Sequence, residues 1–126
     1  MEAPDEDVLR FIVERIDTVP EIEALLLLWE QRPMAFTVQQ LASRLFVSEG
    51  IAGAVVRALE QRRLVMQTAD PSQYTYDQSG RADDEFMARV AATYRRHLIR
   101  VTTLIHSKAS PAVLEFARAF GPKKEN

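Results

Sequence analysis

The chain has 126 residues, 47% of them hydrophobic and 27% charged, with a net charge of −2 and no cysteine. That length supports one domain with a real core. The lack of cysteine excludes disulfides, thiolate metal sites and cysteine nucleophiles and fits a reducing cytosol, and the near-neutral balance excludes a uniformly basic nucleic-acid coat.

The charge is unevenly spread. Residues 1–31 hold nine acids and two bases, a net of −7, and residues 32–126 hold fourteen bases and nine acids, a net of +5. The acidic excess is either a solvated face or a meaningful segregation of charge. No apolar run approaches the roughly 20 residues that span a bilayer, and the acidic start MEAPDED lacks the basic-then-apolar order of a signal peptide. A cytoplasmic protein without a membrane partner is expected.

A first helix is predicted from Asp5 to Ile16, with Val8, Phe11, Ile12 and Ile16 at helical spacing and Asp5, Glu6 and Asp7 at its positive end. Thr18-Val-Pro-Glu21 is a capping-box pattern with Pro20 in the first turn, and it opens a second helix to about Gln31. Ile22, Leu25, Leu26, Leu28 and Trp29 make that helix apolar over much of its girth, and Arg32-Pro33 ends it. Thr37-Val-Gln-Gln40 is a second capping box, starting a short helix to about Leu45. Phe46-Val47 is the turn, and Ser48 caps a further helix to about Arg63 with Ile51, Val55 and Leu59 as its buried stripe. Leu64–Gln67 and Gln73–Tyr76 read as two strands around a short loop, a small wing. From Ala82 to Lys108 the periodicity is helical without a break through Phe86, Val90, Tyr94, Leu98, Val101 and Ile105, which predicts one helix of about 40 Å. Ser110-Pro111 opens a last short helix with Val113, Phe116, Ala117 and Phe120 as its stripe.

Helix, tight turn, helix and hairpin in that order make a winged helix-turn-helix. The segment LASRLFVSEGIAGAVVRALEQRRLV, with its Leu-Ala start, Ser cap and Val56-Arg57…Leu59-Glu60…Leu64-Val65 spacing, resembles the recognition segment of winged-helix bacterial transcriptional regulators, MarR-like in broad terms. The resemblance covers roughly residues 21–78. It implies a DNA-reading helix over Ser48–Arg63 and dimerisation through helices outside the winged unit. The pattern departs in two ways. Arg63 stands where a Gly often precedes the Leu-Val pair. The positions that would face a major groove are Ser48, Glu49, Gly50, Gly53, Ala54 and Arg57, whereas base readout favours Arg, Lys, Asn and Gln. Gly50 and Gly53 each cost about 1 kcal/mol relative to Ala inside a helix. On one exposed face they would admit a DNA backbone or another protein's helix, or the cost is simply borne.

Catalytic chemistry finds little support. His97 and His106 lie nine residues apart on one predicted helix and point to opposite faces, so they cannot share a metal. Asp83-Asp84-Glu85 suits a first helical turn. No phosphate-binding Gly-rich loop and no nucleophile pattern is present. No cofactor and no metal are expected, and the chain is not expected to be an enzyme. The bases are more telling. Arg57, Arg62 and Arg63 cluster at the end of the reading helix, and Arg89, Arg96 and Arg100 share a face of the long helix. Thr37 and Gln39, at a helix N-terminus, suit a phosphate.

The expected architecture is mainly α: a winged helix-turn-helix core over about 18–78 with a small β-hairpin wing, then a helical dimerisation extension over about 80–120, in a single domain of 1–126. The expected function is a bacterial-type DNA-binding transcriptional regulator acting as a homodimer on double-stranded DNA. The DNA-binding set is Thr37, Gln39, Ser48, Glu49, Gly50, Gly53, Arg57, Arg62 and Arg63. The dimerisation set is Tyr94, Leu98, Val101, Ile105, Phe116 and Phe120. The alternative is a winged-helix protein–protein interaction module, an accessory regulator or anti-activator, that grips a regulatory protein partner through the Gly50/Gly53 face and does not bind DNA. A ligand sensor with a pocket between the long helix and the core is a third reading, and no residue identifies its ligand.

Overall fold

Helix starts in this chain are written locally, and those predicted from Thr18, Thr37 and Ser48 are found in the computed structural model, which describes residues 5–79 and 83–108. Asp5 caps α1 (Glu6–Arg15), and its carboxylate accepts from the N–H groups of Asp7 and Val8. Thr18 caps α2 (Val19–Glu30), with Pro20 in the first turn. The reciprocal half of that box lands one residue early, since the Glu21 carboxylate accepts from the Asp17 N–H at 2.7 Å. After β1 (Phe36–Thr37), α3 (Val38–Leu45) opens with a complete capping box between Thr37 and Gln40. Ser48 caps α4 (Glu49–Gln61) by accepting from the Ile51 N–H. The wing is β2 (Val65–Gln67) and β3 (Gln73–Tyr76), followed by α5 (Asp84–Arg96) and α6 (Leu98–Lys108).

The sheet has three strands in the order β1-β3-β2, all antiparallel, rather than the two of a bare hairpin. Phe36 pairs with Tyr74 and Met66 with Thr75. β1 escapes sequence patterning because two residues show no period. Its pairing ties the root of the wing to the start of α3.

The expected continuous helix from Ala82 to Lys108 is instead two helices that meet at His97, whose φ of −126° and ψ of 44° leave the helical region. The backbone bonds His97 N to Thr93 O and Val101 N to His97 O survive on either side, so the chain bends rather than breaks. A straight helix would carry its second half away from the protein. The bend lays α6 against α1 and α2, where Val101 and Ile105 become fully buried. The buried cluster draws on every helix of the described residues: Val8 and Ile12 of α1, Leu25 and Leu28 of α2, Leu41 of α3, Leu59 of α4 and Met87 and Val90 of α5 join Val101 and Ile105. The predicted final helix at Ser110–Phe120 lies outside the described residues.

The acids of residues 1–31 are neither a bare face nor a separate patch. Asp5 and Asp7 bind Arg89, Glu30 binds Arg95, and Asp17 binds both Arg62 and Lys108. The two halves of opposite sign are stitched to one another. The Arg89 guanidinium beside Asp5 holds that carboxyl below its usual range, and Lys108 with Arg62 does the same for Asp17.

Candidate nucleic-acid interface

α3, its turn and α4 form the helix-turn-helix, and the turn is unusual. Phe46 adopts left-handed backbone, φ 59° and ψ 43°, which lets the Val47 N–H reach the Ala42 carbonyl at 3.0 Å and close α3. At the far end of α4, Arg63 is also left-handed, φ 63°. The Leu64 N–H bonds the Leu59 carbonyl and the Arg63 N–H bonds the Glu60 carbonyl, each at 3.0 Å. This is the 6→1 and 5→2 closure that a Gly usually makes. Arg63 therefore ends the helix as a Gly would, in a conformation that costs an L-residue about 1 kcal/mol or more.

α4 buries Ala52, Gly53, Val55, Val56 and Leu59. Two expectations are corrected here. Ile51 is not part of the buried stripe but 49% exposed, because it lies on the flank of that face. Gly53 is not on the open face with Gly50; it is buried, and a Cβ added there would lie 3.3 Å from Arg57 Nη1. The Arg57 side chain folds back over Gly53, one turn earlier. Gly50 is exposed, and an added Cβ would meet only Ser48 Oγ, at 3.8 Å. The outward face of α4 is thus Gly50, Ala54, Arg57 and Gln61, with Ser48 and Glu49 exposed at its start.

The three arginines of the expected cluster separate. Arg57 and Arg63 are exposed and join none of the ion pairs among the described residues. Arg62 is half-buried and fully engaged: it donates to Glu21 Oε1 and Asp17 Oδ2 at 2.7 Å each and to the Arg15 carbonyl at 2.9 Å. Its own carbonyl accepts from Arg15. Its partners are 41 to 47 residues away, so no sequence pattern announces them. Thr37 spends its N–H and one hydroxyl lone pair on Gln40 but keeps its O–H proton, and Gln39 is exposed beside it.

The wing carries no cation. Its loop wires itself together: Ser72 donates to Asp70 through both N–H and hydroxyl, and the Asp70 N–H bonds the Thr68 hydroxyl. The Ser72 bonds hold the Asp70 carboxyl below its ordinary range, so the tip presents a fixed negative charge. This was readable in advance, since no base lies between Arg63 and Arg81.

Of the expected dimerisation residues, Tyr94, Val101 and Ile105 are buried in the chain's own core, and the Tyr94 hydroxyl donates to Glu23 at 2.8 Å. Burial and that bond push its phenol above its usual range. Leu98 is 47% exposed, and Phe116 and Phe120 lie outside the described residues. The open apolar surface is elsewhere. A groove of about 570 Å³ between α1 and α6 is lined by Leu9, Val13 and Leu104, with Arg10, Glu14 and Arg100 at its sides. Next to the α5–α6 bend Ile99 is 80% exposed.

Among the described residues, no cluster of His, Asp and Glu could hold a metal, and no helix is long and apolar enough to cross a membrane. The family model of MarR, a winged helix-turn-helix transcription-regulator family, matches residues 18–73. That span runs from the cap of α2 to the first residue of β3 and contains the whole helix-turn-helix. No curated protein matches the chain.

Proposed function

We propose, from the MarR-like match of residues 18–73, that the protein is a homodimeric DNA-binding transcriptional regulator of the cytoplasm. The observation that carries this reading is the unpaired, exposed Arg57 on the outward face of α4, at the centre of a winged helix-turn-helix. Arg57 and Arg63 supply phosphate contacts, Thr37 and Gln39 add neutral donors at the start of α3, and Ser48, Glu49 and Gly50 lie nearest the base edges. Gly53 serves by giving the Arg57 guanidinium a seat, and Arg62 by anchoring the helix end. A two-fold pair built on the α1–α6 groove and the α5–α6 bend, through Leu9, Val13, Leu98, Ile99 and Leu104, presents two reading helices to half-sites about one DNA turn apart. Residues 18–78 are then the reading core, and the helices from residue 80 onward the dimerisation extension.

Fluorescence anisotropy with a random-sequence duplex at low salt tests this reading. Binding in the micromolar range is expected. Absence of binding at hundreds of micromolar overturns it.

One observation favours the second reading, a winged helix that grips a protein and leaves DNA alone: Asp70 and the absence of any cation on the wing, which would repel a phosphate backbone. Under that reading no duplex binding depends on Arg57, and Arg57→Ala leaves the anisotropy with duplex unchanged.

A further inference from the structure

The helix-turn-helix keeps two large apolar side chains in water at the N-terminal end of α4. Phe46, in the turn, is 93% exposed, and Ile51, the third residue of the helix, is 49% exposed. Phe46 combines an unburied ring with left-handed backbone, where a bulky L-residue is an outlier. A Gly would make the same turn without strain. The Phe46 ring therefore adds nothing to the fold that a smaller residue would not supply better. Ala54 continues the apolar edge one turn along, and Gly50 leaves open space beside it.

Resting on the DNA-binding reading above, we propose that Phe46, Ile51 and Ala54 form an apolar reading edge for thymine 5-methyl groups in the major groove. The thymine methyl is the one apolar group that base pairs present in that groove, and Ala and Phe are among the side chains that meet it. This resolves a reading helix that is poor in polar readers: it recognises its site by methyl contacts, with Glu49 placed to accept from a cytosine amino group. The charge around the edge selects DNA as the occupant. The nearest unpaired cation on the same face is Arg57, and Arg63 follows at the end of the helix, so a polyanion satisfies both while its groove floor covers the apolar residues. The open space at Gly50 lets the helix backbone seat close to the base edges.

The test enriches duplexes from a random-sequence pool on the full chain. The tightest is then remade with deoxyuridine in place of thymidine, a change that deletes only the methyl groups. The expected loss is about fourfold in affinity for each contacted methyl, the burial value of one such group. Ile51→Ser and Phe46→Gly should each bind the thymidine duplex more weakly and distinguish it less from the deoxyuridine duplex, by about the fourfold of the methyl contact each one removes. Phe46→Gly should at the same time unfold at a higher temperature, so its lost affinity cannot come from misfolding. Tight binding indifferent to the deoxyuridine exchange, or enrichment of G·C-only sequences, overturns the inference and leaves the DNA-binding reading standing. Failure to enrich any duplex at low salt overturns that reading and the inference with it.

Discussion

Arg62 Nη1 lies 2.7 Å from Glu21 Oε1, joining the C-terminal cap of α4 to the first turn of α2 across 41 residues of chain. Glu21 is nearly buried, and the same guanidinium holds Asp17. The bridge ties the end of α4 to α2 and to the segment before it. A base counted towards phosphate binding from its place in the sequence is thus a structural anchor.

Removing it should destabilise the fold, because Glu21 would keep a buried charge without its partner. Fully buried pairs lose about 3–5 kcal/mol in this way, and the partial exposure of Arg62 reduces the expectation for Arg62→Ala to about 2 kcal/mol. Urea unfolding reads the loss, and adding Glu21→Gln should recover part of it. Arg57→Ala should leave stability within about 0.5 kcal/mol and weaken duplex binding. Equal stability of the two arginine variants would contradict this division of labour.

Two substitutions should stabilise the protein. Arg63→Gly relieves left-handed backbone at a helix end that is already closed by the Leu64 and Arg63 N–H bonds, a gain of about 1 kcal/mol. Gly50→Ala meets open space on an exposed helical face, for up to about 1 kcal/mol. Gly53→Ala should give less, since its Cβ would crowd the Arg57 guanidinium and push it aside. Thermal melts of the three variants rank them, and a Gly50→Ala variant that unfolds earlier than the parent would refute the open-space argument.

Salt should act moderately on DNA binding. With Arg57 and Arg63 as the free cations near the reading face, a dimer neutralises about four phosphates, and log K should fall with log[salt] at a slope of roughly −3.6. Anisotropy titrations between 50 and 200 mM salt measure it. A slope near −8 would mean that Arg62, Arg89 or Arg95 leave their carboxylate partners to bind phosphate.

Acid should unfold the protein through its stitched aspartates. Asp5 is held low chiefly by its hydrogen bond from Arg89, and Asp17 chiefly by that from Lys108. A carboxyl whose folded pKa is depressed contributes stability that is fully present above its unfolded pKa of about 4, and this is lost as pH falls through the lower folded value. Urea midpoints should therefore hold level from pH 7 to about pH 5 and fall below about pH 4. Asp17→Asn should lower the neutral-pH midpoint and flatten the acid limb. An unchanged acid limb in that variant would assign the pH dependence to other groups.

Read by itself, the amino-acid order determined where helices begin and which modules they build. A cap acts within three residues, so Asp5, Thr18, Thr37 and Ser48 announce their helices to any reader of the chain, and the helix-turn-helix with its wing follows from their spacing. Burial and charge pairing depend on which distant surfaces meet. The bend at His97, the two-residue strand at Phe36, the burial of Gly53 and Val101, the exposure of Ile51 and the capture of Arg62 by Asp17 and Glu21 depend on the packing of α6 on α1 and α2, of α4 on α2 and of β1 on β3. Periodicity reports that a residue lies on an apolar face; it does not report how wide that face is once a neighbour covers it. For the same reason the arginines that remain free for a partner could be counted only after the acids of α1 and α2 had taken theirs.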